Sequence, residues 1–196
     1  IATPWSAPAW MKTNGRLQGL RPEEIARGAT CRLKDDCFGV YADYLVRFIA
    51  RYQDEGIRID SLTLQNEPQN DRSEYPCMRM DEADQIRLAG LLGNRLAAGA
   101  LDTRLIAHDH NWILHPNNRA MAGETPNPDP LASVLGILAH PDANRFVSGT
   151  AWHVYAGGPE DMARVFDTLH AKHPGKEILA TELTAFMKAS AAILLE

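Results

Sequence analysis

Two glutamates hold positions from which they could act on a bond together. Glu67 closes a short apolar run and stands between Asn66 and Pro68; Glu182 closes a second run, Ile178-Leu179-Ala180-Thr181. Three strand–helix units separate them. A single glutamate at a strand end is ordinarily a surface carboxylate. Two that face each other across the mouth of a barrel have the equipment for glycoside hydrolysis. One, protonated, gives its proton to the leaving oxygen; the other, ionised, attacks or stabilises the sugar carbon.

The company they keep fits that chemistry. Trp5, Trp10, Trp112 and Trp152 all fall beside strand ends. Indole faces stack on the C–H faces of sugar rings, so an aromatic rim is expected there, although each tryptophan alone is as well explained by packing. Asp109 lies between His108 and His110 on one strand. Alternation puts the two histidines on one face and Asp109 on the other, where it could bind a sugar hydroxyl. The two histidines also admit a metal-hydrolase reading, but the set is short of ligands and the expectation is no metal. His153 and Tyr155 alternate on a later strand, and a tyrosine there could hydrogen-bond Glu182 and hold it ionised. Neither a G-x-S-x-G elbow nor a cysteine in a catalytic signature is present.

The positioning elements follow from periodicity. Tyr41, Tyr44, Leu45, Phe48, Ile49 and Tyr52 mark one face of a helix that Gly56 should end. A strand from Asp60 to Gln65 leads into Asn66-Glu67-Pro68. Asp81 reads as the N-cap of a helix carrying Leu88, Leu91, Leu92 and Leu96, with Gly90 and Gly93 weakening its middle. Arg104 to His108 reads as a strand, Pro116 to Pro130 as a Pro/Asn-rich loop, and Leu131, Val134, Leu135 and Leu138 as a helix face. Phe146 to Tyr155 is a strand, Met162, Val165, Phe166 and Leu169 a helix face, and Glu177 to Thr181 the last strand.

Strand–helix alternation means an α/β protein with a parallel sheet. With no Gly-rich phosphate turn after the first strand, and with chemistry gathered at each strand end, a (β/α)8 barrel is favoured over a doubly wound sheet. The chain holds about strands 3 to 7 of one, as a single partial domain over residues 1–196. Such a piece has open sheet edges and is expected to be oligomeric or poorly soluble.

Composition narrows the partners. Lys+Arg number 20 against 25 Asp+Glu, a net charge of −5 without a basic cluster, which argues against nucleic acid or an anionic membrane as partner. No apolar run is long enough to span a bilayer. Three cysteines make no disulfide scaffold; Cys31 and Cys37 could pair across a short loop or remain free thiols. The chain starts at Ile1 inside what reads as structure, so the lack of a signal sequence says little about secretion.

Several motifs together carry a resemblance. T-P-W-S-A-P-A-W-M-K-T-N-G (Thr3 to Gly15), L-Q-N-E-P (Leu64 to Pro68), D-H-N-W (Asp109 to Trp112), W-H-V-Y (Trp152 to Tyr155) and A-T-E (Ala180 to Glu182) resemble glycoside hydrolase family 30. That family includes the glucosylceramidases and endo-β-1,6-glucanases, retaining enzymes built on a (β/α)8 barrel. The resemblance implies Glu67 as general acid/base after the fourth strand and Glu182 as nucleophile after the seventh. It implies Asn66 on the sugar 2-hydroxyl, Trp5 in the cleavage subsite, Asp109 and Trp112 at the fifth strand end, and His153 and Tyr155 at the sixth. The expected substrate is a carbohydrate or glycolipid with a β-glucosidic bond, with no cofactor and a secreted or periplasmic location. The loop from Pro116 to Pro130 is the candidate for choosing the aglycone. A non-catalytic carbohydrate-binding remnant is the alternative.

Overall fold

The computed structural model describes residues 1–115 and 129–184. In chain order the elements are α1 (Pro22–Ile25), α2 (Phe38–Asp54), β1 (Ser61–Thr63), α3 (Glu82–Ala98), β2 (Arg104–Asn111), α4 (Pro130–Ala139), α5 (Pro141–Asn144), β3 (Val147–His153), α6 (Pro159–Lys172) and β4 (Glu177–Glu182). The four strands are all parallel and lie in the order β1-β2-β3-β4. A sheet whose spatial order equals its chain order has no switch point, so every crossover moves the same way and the sheet curls as part of a (β/α)8 barrel. Ala2 continues it beyond β1: its N–H donates to Ser61 O and its carbonyl accepts from Thr63 N, at 2.9 and 3.0 Å.

The helices cover one side of the sheet. In α2, Tyr41, Leu45 and Ile49 are buried, whereas Tyr44 and Tyr52 stand about half exposed, so the apolar stripe is narrower than the residue pattern predicts. Gly56, at φ 77°, ends α2 as expected: its N–H reaches Gln53 O and that of Ile57 reaches Tyr52 O. This is the paired bonding of a Schellman stop, which needs a left-handed residue at that position. Asp81 caps α3, accepting from Asp84 N at 3.1 Å. Leu88, Leu92 and Leu96 from α3 meet Val134 and Leu138 from α4, over Leu62, Leu105 and Val147 from the strands. Gly93 has a packing reason: a Cβ there would lie 2.0 Å from the Phe146 ring.

All three cysteines are buried free thiols, so Cys31 and Cys37 are not paired. No helix among the described residues is long and apolar enough to cross a membrane. Residues 116–128 of the loop expected to choose the aglycone lie outside the described residues.

Candidate active site

The C-terminal ends of the strands bring the chemistry to one place. His153 ends β3, in register with Glu182 at the end of β4 and with Asn111 at the end of β2. Glu67 follows β1, and its backbone N–H donates to Asp109 O at 2.9 Å.

The backbone there departs from regular strand geometry. His108 and Asp109 sit at φ 74° and 72°, and Glu67 at φ 43°. Left-handed backbone at a non-glycine residue costs on the order of 1–3 kcal/mol and persists only where the surroundings enforce it. Gln85 of α3 supplies part of that enforcement, its buried Oε1 accepting from His108 N at 3.0 Å. The pairing of β2 with β3 slips between His108 and His110, a bulge with Asp109 as the extra residue. Strict alternation therefore fails. His108 turns to Trp152, ring centroids 4.5 Å apart, whereas Asp109 and His110 both face His153.

Asp109 ties the four strands together. Thr63 of β1 donates to its Oδ2 at 2.8 Å and Thr181 of β4 to its Oδ1 at 2.7 Å, while His153 Nε2 of β3 lies 3.1 Å from Oδ1. The residue is fully buried. Both Asp109 oxygens are engaged within the protein, and through them the carboxylate orients His153.

His153 stands between the two candidate catalytic carboxylates. Its Nδ1 is 3.5 Å from Glu67 Oε1 and its Nε2 is 3.8 Å from Glu182 Oε2. One imidazole stands between them, so the two carboxyl groups face the same side chain at the C-terminal ends of the strands. Burial disfavours charge on His153, but Asp109, Glu67 and Glu182 outweigh it and push its pKa up to about 9. The Glu67 carboxyl, also buried, is drawn down to about 2 by His153, His110 and the Asn70 amide. Burial drives the pKa values of His108 and His110 the other way, to about 3 and about 4. The resting site thus holds an ionised Glu67 against an imidazolium.

Other residues complete the surroundings. Asn70 Nδ2 donates to Glu67 Oε2 at 2.6 Å, and Tyr75 OH lies 3.4 Å from the same oxygen. Neither was legible in the sequence, where both fall in a polar stretch without periodicity. Trp5 is 41 % exposed and meets Tyr75 edge to face, centroids 5.6 Å apart. The Trp5 carbonyl accepts from Gln65 Nε2 at 3.0 Å, holding this segment beside the site. Asn66 is buried, with an Oδ1 that has no hydrogen-bond partner among the described residues. Tyr155 lies near Glu182; partial burial and that carboxylate's charge raise its hydroxyl pKa. Asn111 Oδ1 accepts from Tyr155 N and Ala156 N at 2.8 and 2.9 Å, fixing the turn that presents this tyrosine.

The rim of four tryptophans needs correction. Trp112 and Trp152 stack on each other, 5.0 Å apart and 9° from parallel, and are buried. Trp112 also meets Phe166 at 6.1 Å, so its ring packs inside the fold. Only Trp5 and Trp10 are exposed.

A parallel half-barrel that gathers two glutamates at the C-terminal ends of its strands is the frame of a barrel hydrolase. Residues 1–193 match the Glycosyl hydrolase family 30 TIM-barrel domain, and the chain belongs to that family. It is 33% identical over 184 residues to the endo-1,6-beta-D-glucanase of Neurospora crassa, covering 93% of this chain and 32% of the relative. It is 28% identical to the lysosomal acid glucosylceramidase of Mus musculus, again over 93% of this chain and 32% of the relative. Among solved structures it is similar to the endo-beta1,6-glucanase BT3312, with a TM-score of 0.76, 28% identity, and coverage of 97% of this chain and 38% of that one. The chain therefore spans about a third of the length of the curated relatives it matches.

Proposed function

We propose that this chain carries the catalytic centre of a retaining β-glycosidase that hydrolyses β-glucosidic bonds of the β-1,6-glucan or glucosylceramide type. The observation that carries the reading is the placement of Glu67 and Glu182 on the two nitrogens of one imidazole, at the C-terminal ends of parallel strands. Glu182 attacks the anomeric carbon, the glycosidic bond breaks, and the leaving oxygen takes a proton from Glu67. Glu67, now ionised, accepts a proton from water as that water displaces Glu182. Glu67 must gain a proton before it can give one, and His153 Nδ1, 3.5 Å away, is a donor within reach. The unpartnered Oδ1 of Asn66 is available to a sugar hydroxyl. Trp5 offers an exposed ring beside the site, and Tyr155 steadies Glu182. The kinship with a lysosomal enzyme and with glucanases supports a place outside the cytoplasm.

The test is pre-steady-state hydrolysis of an activated aryl β-glucoside. Glu67→Gln should keep the burst of phenol from the first step and lose turnover, because a good leaving group needs no acid. Glu182→Gln should lose the burst. A Glu67→Gln chain that binds the glycoside without a burst overturns the assignment. Binding of gluco-oligosaccharides with no product from the unaltered chain would make it a carbohydrate-binding remnant.

A further inference from the structure

We propose that Glu67, His110 and His153 form a binding site for a divalent cation of borderline softness, Zn2+ above all, and that filling it takes Glu67 out of the reaction.

The donor set is two imidazoles and a carboxylate, with ligand atoms all within 4.8 Å of one another. His153 Nδ1 and His110 Nδ1 lie 3.5 and 3.8 Å from the same oxygen, Glu67 Oε1. Ligands at about 2.0–2.2 Å from zinc at tetrahedral angles sit roughly 3.4 Å apart, so two of the three separations are already close to those of a filled site. The third lies within 4.8 Å.

Two further observations point to a ligand. His153 Nδ1 is buried and meets no oxygen closer than Glu67 Oε1 at 3.5 Å; a cation that takes this position displaces the Nδ1 proton to solvent. Its other nitrogen is held by the Asp109 carboxylate at 3.1 Å, and Thr63 and Thr181 fix that carboxylate in turn. A metal-bound histidine is oriented in this way, by a carboxylate on the nitrogen that does not bind. His110 Nδ1 accepts a long hydrogen bond from Asn111 Nδ2 at 3.2 Å, the bond a cation would replace.

Charge favours the cation as well. Glu67, Asp109 and Glu182 all surround His153. The side chain of Glu67 is 14% exposed, so the cluster is reached from solvent on its side. Two histidines and a glutamate with an open fourth position form a recognised zinc set. This site differs from the His108–His110 pair suggested by the sequence, since the bulge in β2 turns His108 away to Trp152.

The experiment titrates metal-free chain with Zn2+ against a chromophoric chelator, and with Co2+ by visible absorption. One equivalent should bind, with the spectrum of four-coordinate cobalt. Glu67→Gln and His110→Ala should each weaken binding about tenfold or more, whereas His140→Ala, an exposed histidine just after α4, should leave it unchanged. No saturable binding, binding insensitive to both site substitutions, or an intense near-ultraviolet sulfur–cobalt band, which would place the metal on cysteine, overturns the site. In a second arm, Zn2+ should stop hydrolysis of an aryl β-glucoside and a chelator restore it; full activity at saturating Zn2+ overturns the claim on Glu67. That arm alone rests on the proposed function. A chain that binds zinc at these residues but never hydrolyses a glycoside leaves the site standing and removes the glycosidase reading.

Discussion

At the scale of single residues, four side chains set how this site responds to protons. His153 keeps its proton to about 9 in the folded chain, against an ordinary value of 6.5. Its contribution to stability is therefore complete below 6.5 and is lost as pH rises towards 9. His110 and His108 are shifted the other way, to about 4 and about 3, so the unfolded chain takes up protons below 6.5 that the folded chain refuses. Stability falls as pH drops from 6.5 towards those values, and Glu67 adds a loss below its ordinary 4.5. The melting temperature of chelator-treated protein should therefore peak near pH 6.5 and decline on both sides. An unchanged melting temperature from pH 4 to pH 9 would contradict these assignments. Asp109→Asn isolates one limb. Without that charge His153 returns towards 6.5, so the alkaline decline should flatten while the acid decline remains, in protein that is less stable throughout because Asp109 joins all four strands.

At the scale of elements, close approach outweighs intrinsic propensity. Gly93 lies inside α3, where alanine would ordinarily gain about 1 kcal/mol. Here the added Cβ would enter the Phe146 ring at 2.0 Å. Overpacking of that kind costs about 1–3 kcal/mol, so Gly93→Ala should destabilise the fold in denaturant titrations. Combined with Phe146→Ala it should cost less than the two changes added together; simple additivity would remove this explanation of the glycine. Lys12 makes a similar case. It is wholly buried, and its Nζ donates to Ser6 Oγ and to the carbonyls of Leu17, Gln18 and Cys77 at 2.6–3.3 Å. Lys12→Met removes a charged donor from those carbonyls, leaving each with its second partner, Cys77 N on Leu17 O, Asn14 Nδ2 on Gln18 O and Cys31 Sγ on Cys77 O; at about 1.5–3 kcal/mol for a hydrogen bond to a charged group, it should lower the unfolding midpoint. These two cases also show what sequence reading reaches. The strands, the cap at Asp81, the stop at Gly56 and the positions of Glu67 and Glu182 follow from local pattern. Gly93 looks like a weakness because Phe146, its reason, lies far along the chain. The bulge at His108–Asp109 contains no glycine to announce its left-handed backbone, so alternation assigned Asp109 to the wrong surroundings. Trp112 and Trp152 look like a rim because both fall at strand ends, and only tertiary packing reveals that they cover each other.

At the scale of the whole molecule, the sheet is unevenly protected. The β3 strand is buried along nearly its whole length, whereas β4 is exposed or half-exposed at every position. Among the described residues β4 pairs with β3 alone. Charge at a sheet edge discourages pairing with another chain. The β4 strand has charge only at its two ends, and Glu177 is already engaged by Arg104, while Ile178-Leu179-Ala180-Thr181 between them carries none. An apolar strand whose outer row of backbone donors and acceptors meets no strand among the described residues is a template for a further strand. The 196-residue chain on its own should therefore self-associate through β4. Light scattering coupled to gel filtration should show species above 21.7 kDa whose share grows with concentration. Ala180→Lys, which sets a charge at the exposed position inside the strand, should shift the distribution towards monomer without loss of the sheet signal in circular dichroism. A monodisperse monomer with one cooperative melt would mean that β4 is covered in solution, and the exposure on which this prediction rests would be wrong.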